Sequence, residues 1–224
     1  MTNVQNNAID PDAVLDEEDQ PGFSQAELLY LLTTGPGETA DFTAAVLGLD
    51  LVENREILVD AGASALLARR SLVFSDDQQA VVPQQEALML AYVLTNATRW
   101  TSFGVAAEDS GDSGFLIEAE EGRILAQPRA LNTWWFIFLD VNAPIDEIFA
   151  STATALTVEG AETAVYAQIS TPAAVRAFTI HRTPDDWSYA WGVPGEDEPR
   201  ELVEGTRVED VTRALEAFSA DFPR

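Results

Sequence analysis

The sequence predicts an α+β fold: an N-terminal helical, winged-helix-like part, then a mostly antiparallel sheet built of two meander-plus-helix halves. Three observations predict it. Up to about residue 96 the apolar residues recur at helical spacing, broken by one short pair of strand-like runs. From Thr98 the period shortens to two, and the runs are joined by short turns rather than by helices, which marks antiparallel pairing. Residues 98–157 and 163–221 each read as a meander closed by a helix, a loose internal similarity.

The elements follow in order. Residues 1–22 contain "DPDAVLDEEDQPG", acidic and without an aromatic, and predict a disordered acidic arm with too little apolar surface to offset the entropy of ordering. Residues 23–96 form the helical part with its small hairpin. "FSQAELLYLLTT" opens with Ser24 as N-cap and Glu27 three residues on, a capping box. "GPG" at 35–37 ends that helix, and a second runs over 38–48 to Gly48. A third, about 59–70, leads into a short strand, a turn at "SDDQQ" and the strand "AVVP". Pro83 then stands at the first turn of "PQQEALMLAYVLTNA".

Residues 97–224 hold the sheet and its packing helices, continuous with 23–96 as one α+β unit. "RWTSFGVAAE", "GFLIEAEE", "RILAQPRA" and "NTWWFIFLDV" are four strands, the last apolar enough to be buried on both faces. "PIDEIFASTATAL" is a helix. "AVYAQIS" is a strand, "TPAAVRA" a turn or short helix, and "FTIHRT", "WSYAWGV" and "PRELVE" are strands. "RVEDVTRALEAFSA" closes the chain as an amphipathic helix with Val208, Val211, Leu215 and Phe218 on one face.

Composition narrows the functions. The 224 residues include no cysteine, which excludes disulfides, thiolate nucleophiles and cysteine zinc sites. The N-terminus lacks the basic and apolar regions of a secretory signal, and no apolar run approaches the length of a membrane span, so the expectation is a cytoplasmic protein. Acids outnumber bases 38 to 12, for a net charge of −26, and every base is arginine. Such a chain repels phosphate backbones and anionic membranes, so neither nucleic acid nor membrane is expected as a partner.

"EDSGDSG" spells the Gly-Asp-Ser-Gly that surrounds the nucleophile of chymotrypsin-like proteases. A nucleophilic Ser113 needs a base and a group to orient it. The single histidine, His181, lies on a distant strand, and the stretch reads as an acidic hairpin turn. The acids of "DSGD" and "DPDAVLDEED" miss the calcium-loop spacing. Asp140, Asp146 and Glu147 bracket a helix start, where the helix dipole accounts for them. No catalytic, cofactor-binding or metal-ligating residues are assigned, no cofactor is expected, and the chain is read as a non-enzyme. The tryptophans remain. Trp134 and Trp135 are adjacent on a strand, so they point to opposite faces. One enters the core, and the other is the predicted partner-binding residue, since tryptophan is a common interface anchor.

The order of elements resembles the EspG-type chaperones of actinobacterial type VII secretion. The pieces that carry the resemblance are "FSQAELLYLL", "ILVDAGASALLARRSLVF" leading into a hairpin, "WWFIFLD" followed by "IDEIFASTATAL", and "VTRALEAFSA". It spans about residues 23–221 and includes no specific motif. It implies a non-catalytic, cytoplasmic protein that binds a secreted protein partner. Two other classes stay open: an acidic immunity-type inhibitor of a basic toxin, and a winged-helix regulator reading DNA near Arg69 and Arg70.

Overall fold

The computed structural model describes residues 22–75, 80–107, 110–155, 157, 162–196 and 198–222. The predicted arm, save Gly22, and the "SDDQQ" turn, save Ser75, lie outside them. The helical part comprises α1 (Gln25–Thr33), α2 (Glu38–Val46), α3 (Arg55–Ala68) and α4 (Gln85–Asn96), with the hairpin β2 (Leu72–Ser75) and β3 (Ala80–Pro83) between the last two. The capping box forms: Ser24 N–H donates to Glu27 Oε2 at 2.7 Å, and Glu27 N–H to Ser24 Oγ at 3.3 Å. α1 and α3 cross closely at Gly62, where a Cβ would stand 2.0 Å from the Ala26 carbonyl oxygen.

One element was not foreseen. Gly22–Ser24 form a three-residue strand, β1, that pairs antiparallel with Thr133–Trp135. Arg69 fastens it: its guanidinium donates to the Gly22 carbonyl at 2.9 Å, pairs with Glu27 at 3.1 Å and lies 4.3 Å from the Phe23 ring centre. The helical part is thereby stapled to one margin of the sheet.

The sheet adds β4 (Ala97–Ala107), β5 (Ser110–Ala119), β6 (Gly122–Arg129), β7 (Thr133–Leu139), then helix α5 (Ile145–Ala155), then β8 (Thr163–Thr171), β9 (Ala174–Arg182), β10 (Trp187–Gly192), β11 (Glu201–Thr206) and helix α6 (Val208–Ala220). Among the described residues nine strands stand in the order β1-β7-β6-β5-β4-β8-β9-β10-β11, every pairing antiparallel. The first strands of the two meanders, β4 and β8, are neighbours at the centre, and each meander runs outward from there. The α+β architecture is as predicted.

Helices α1 to α4 cover one face of β4 to β7, around Trp100, Ile117, Ile124, Trp134 and Phe136. Helices α5 and α6 pack on each other and cover the opposite face of β8 to β10, around Phe103, Phe149, Ile169, Phe178, Leu215 and Phe218. β4 serves both layers by strand alternation: Trp100 faces the first, Phe103 the second.

Two local readings are corrected. "TPAAVRA" is neither a helix nor all turn, because β9 begins at Ala174 and its alternation puts Phe178 and Ile180 in the core. Ser113 is not in a loop. It lies in β5 opposite Gly104, and the β4–β5 pairing runs on to Ala107 and Ser110. Its glycines misled the reading: Gly114 sits opposite Phe103, and a Cβ there would meet the Phe103 ring at 2.5 Å. The missing side chain is replaced by the aromatic ring of the facing strand. In α6, Val211, Leu215 and Phe218 are buried as predicted, and Val208 is exposed.

Candidate functional site

Trp134 and Trp135 separate as strand geometry requires. Trp134 is 7% exposed and packs in the helix-covered core, its ring 5.7 Å from that of Phe115. Trp135 emerges half-buried on the opposite face. There it lines a cleft of about 180 Å³ with Phe103, Leu125, Gln127 and Ile137 from the sheet and Thr152 from α5. The floor is apolar. The rim is polar, with Gln127 donating to Asp112 at 2.8 Å. Beyond α5 no helix among the described residues lies on this part of β6 and β7.

Two residues of the β6–β7 hairpin gave no signal in the sequence. The Arg129 guanidinium stacks 4.1 Å from the Trp135 ring centre, a cation–π contact across β6 and β7. Leu131, at the β6–β7 turn, is 94% exposed and held at φ 60°, a left-handed conformation that leucine rarely adopts. Thr133 braces the turn by donating to the Ala130 carbonyl at 2.7 Å. Arg129 thus covers the Trp135 ring beside the cleft, and Leu131 stands exposed at the hairpin tip.

The other tryptophans are engaged within the chain. Trp100 is buried and donates to Thr43 at 3.0 Å. Trp191 donates to Glu201 at 2.7 Å, with Arg176 and Arg200 at 5.6 and 6.0 Å from its ring, and Arg182 lies 5.1 Å from Trp187. Burial and the Glu201 carboxylate together hold the Tyr189 phenol above its ordinary range.

The residues weighed for chemistry do not assemble. Ser113 on β5 and His181 on β9 are three strand spacings apart, about 14 Å. His181 contacts Glu162 at 3.0 Å instead. Asp140 accepts from the Asn142 N–H at 2.7 Å, closing a turn. Asp146 belongs to a buried ionic group: Arg99 Nη2 lies 3.5 Å from it and donates to the Ser219 carbonyl and hydroxyl at 2.9 and 2.6 Å, while Arg99 Nε lies 3.3 Å from Glu118. Of the Arg69–Arg70 pair, Arg69 is engaged by Gly22, Glu27 and Phe23, while Arg70 beside it is exposed. Among the described residues no group of three or more His, Asp or Glu side chains stands close enough to hold a metal ion, and no helix is long and apolar enough to cross a membrane.

No family model and no curated protein matches the chain. Among solved structures it is similar to the Mycobacterium tuberculosis type VII secretion system chaperone EspG5, determined in complex with the PE25–PPE41 dimer. The TM-score is 0.55 at 10% identity, over 91% of this chain and 97% of that one. At that identity the likeness is one of fold: the chain shares the architecture of a type VII secretion chaperone.

Proposed function

We propose that this is a non-catalytic, cytoplasmic protein-binding protein of chaperone type, and that its partner docks on the Trp135 face of β6 and β7. One observation carries the reading. Trp135, Leu125, Ile137 and Phe103 form an apolar cleft that opens beside α5, with Trp135 and Ile137 only partly buried. The fold shared with a chaperone solved on a protein dimer supports a protein as ligand, and a secreted partner is the corresponding choice. The net charge of −26 speeds encounter with a basic partner, while Trp135 sets how slowly it leaves.

The test is affinity purification from the native organism with quantitative mass spectrometry, comparing Trp134→Ala and Trp135→Ala. Trp134→Ala empties a core position and should cost roughly 3–5 kcal/mol of stability. Trp135→Ala should fold, losing about 1 kcal/mol from the Arg129 contact, and should release a protein that the parent captures stoichiometrically. Capture that survives Trp135→Ala would refute the docking face. A small secreted protein in the complex supports the chaperone reading, and a basic toxin in its place supports the inhibitor reading.

A further inference from the structure

The two margins of the sheet are finished differently. At one, β11 carries Glu201, Glu204 and left-handed Gly205, and its pairing with β10 slips between Trp187 and Tyr189. Charges and an irregularity are the usual guards of an exposed strand. At the other margin β1 covers only Thr133, Trp134 and Trp135 of β7. Among the described residues no strand pairs with the outer side of Phe136, Ile137, Phe138 or Leu139. These four residues include no charge, proline or glycine, so the most apolar strand of the sheet has an unguarded edge.

Two hydrogen bonds show which backbone groups face outward. The Gly22 carbonyl accepts from Arg69, and the Ser24 N–H donates to Glu27. In an antiparallel pair a residue's N–H and C=O aim to the same side. Gly22 and Ser24 therefore aim away from β7, and Phe23 is the residue that exchanges hydrogen bonds with Trp134. By the same alternation Phe136 and Phe138 direct their backbone groups outward, while Trp135, Ile137 and Leu139 direct theirs to β6. Pro128 stands opposite Trp134 on the β6 side, where no N–H is then needed.

Three occupants compete for this edge. The chain's own arm, continued in register from Gly22, would set Pro21 opposite Phe136 and Asp19 opposite Phe138. Pro21 has no N–H to give at a position that requires one, and the acids of "DEED" would gather beside Asp140. A second copy would bring another net charge of −26 to the contact. A different protein with a proline-free extended segment, apolar at alternate positions and carrying arginine or lysine between them, meets neither obstacle.

Resting on the reading of the chain as a protein-binding chaperone, we infer that its partner adds such a segment to the outer edge of β7, exchanging backbone hydrogen bonds with Phe136 and Phe138. Alternate side chains of the segment then lie beside Ile137, on the same face as Trp135. Edge and cleft receive one partner: the backbone pairing gives affinity, and the cleft selects the side chains.

Amide hydrogen exchange of the full chain, followed by NMR, tests this. In the free protein the Phe136 and Phe138 amides should exchange about tenfold or more faster than those of Trp135 and Ile137, although the Phe136 side chain is fully buried. Comparable protection of all four would overturn the proposal, because the edge would already be filled. The probe is a synthetic seven-residue peptide of alternating valine and arginine, beside the same peptide N-methylated at alternate residues. The unmethylated peptide should slow exchange at Phe136 and Phe138, less so as salt is raised, and the methylated one should not. No change with either, or an equal change with both, overturns the proposal. A Pro21→Thr/Asp19→Thr variant lengthens β1 in cis. It should protect Phe136 and abolish peptide binding, and undiminished binding counts against the edge. If the peptide fails while native capture still depends on Trp135, the edge falls and the docking face stands. If capture is indifferent to Trp135, the docking reading falls first.

Discussion

Replacing Arg99 with methionine tests what holds the two helical layers to one sheet. Arg99 is 1% exposed and reaches three elements from β4: β5 at Glu118, α5 at Asp146, and α6 at the carbonyl and hydroxyl of Ser219. Ser219 Oγ in turn donates to Asp146 at 2.6 Å, and Arg123 lies 3.5 Å from Glu118. Two arginines thus face two carboxylates in a charge-balanced group. Arg99→Met keeps the volume and removes one cation, leaving a net negative charge where water is excluded. Breaking a buried pair from one side costs about 3–5 kcal/mol. At the lower bound that is a fall of roughly 6–12 °C in Tm for a chain of this size. Urea unfolding at constant m-value is the assay, with Arg99→Met/Glu118→Gln as the control. The double variant restores charge balance and should recover about 1–3 kcal/mol of the loss. A single variant within about 1 kcal/mol of the parent, or a double variant less stable than the single, would refute this account.

Three further outcomes follow from the geometry. Gly62→Ala should destabilise by about 1–3 kcal/mol, measured by thermal melting, because the Cβ would meet the Ala26 carbonyl carbon and oxygen at 2.4 and 2.0 Å and neither helix backbone can yield cheaply. Stability should fall as pH rises above about 10, since burial and Glu201 raise the Tyr189 phenol above its unfolded value. That contribution is complete below the unfolded value and lost through the folded one. Tyr189→Phe should make the alkaline loss shallower in pH-dependent urea melts. A serine-directed fluorophosphonate should not label the parent at Ser113, which stands in β5 about 14 Å from His181.

Where the signal was local, the sequence was legible. Ser24 and Glu27 announce a cap that forms as drawn, and the strand runs announce antiparallel pairing. The adjacent tryptophans announce opposite faces, but alternation alone cannot say which face is core. Helices α1 to α4 decide it by packing on the Trp134 side, where β1, three residues too short to show any period, adds Phe23 at 5.7 Å from Phe136. Ser113 was misread because glycine, aspartate and serine look alike in a turn and in a strand whose gap Phe103 fills. The Arg99 group was invisible because two of its partners lie 47 and 120 residues away in the chain. Nor does an arginine count reveal that Arg69, Arg129, Arg176, Arg182 and Arg200 lie against aromatic rings. Guanidinium is planar and weakly hydrated, so it can lie against a ring where an ammonium would lose more hydration. In a chain without lysine, the few cations are thus partly spent as covers for tryptophan and phenylalanine.

The open face and the buried clamp have one cause. Each meander ends in a helix, and the simplest return for α5 would be onto β6 and β7, the strands it has just left. It crosses instead toward β8 and lies against α6, with Asp146 near Arg99 and Phe149 against Phe103. That displacement leaves Thr152 as the α5 residue that lines the cleft beside Trp135 and Ile137. Arg99 ties the start of α5 to the end of α6, and so fixes how far α5 reaches over the cleft that its Thr152 lines. A variant that loosens the clamp without unfolding the sheet should then lose partner capture as Trp135→Ala does, with α5 itself as the competing occupant. Reduced accessibility of Trp135 to a solvent quencher in Arg99→Met would mark that competition, and unchanged quenching with unchanged capture would separate clamp from site.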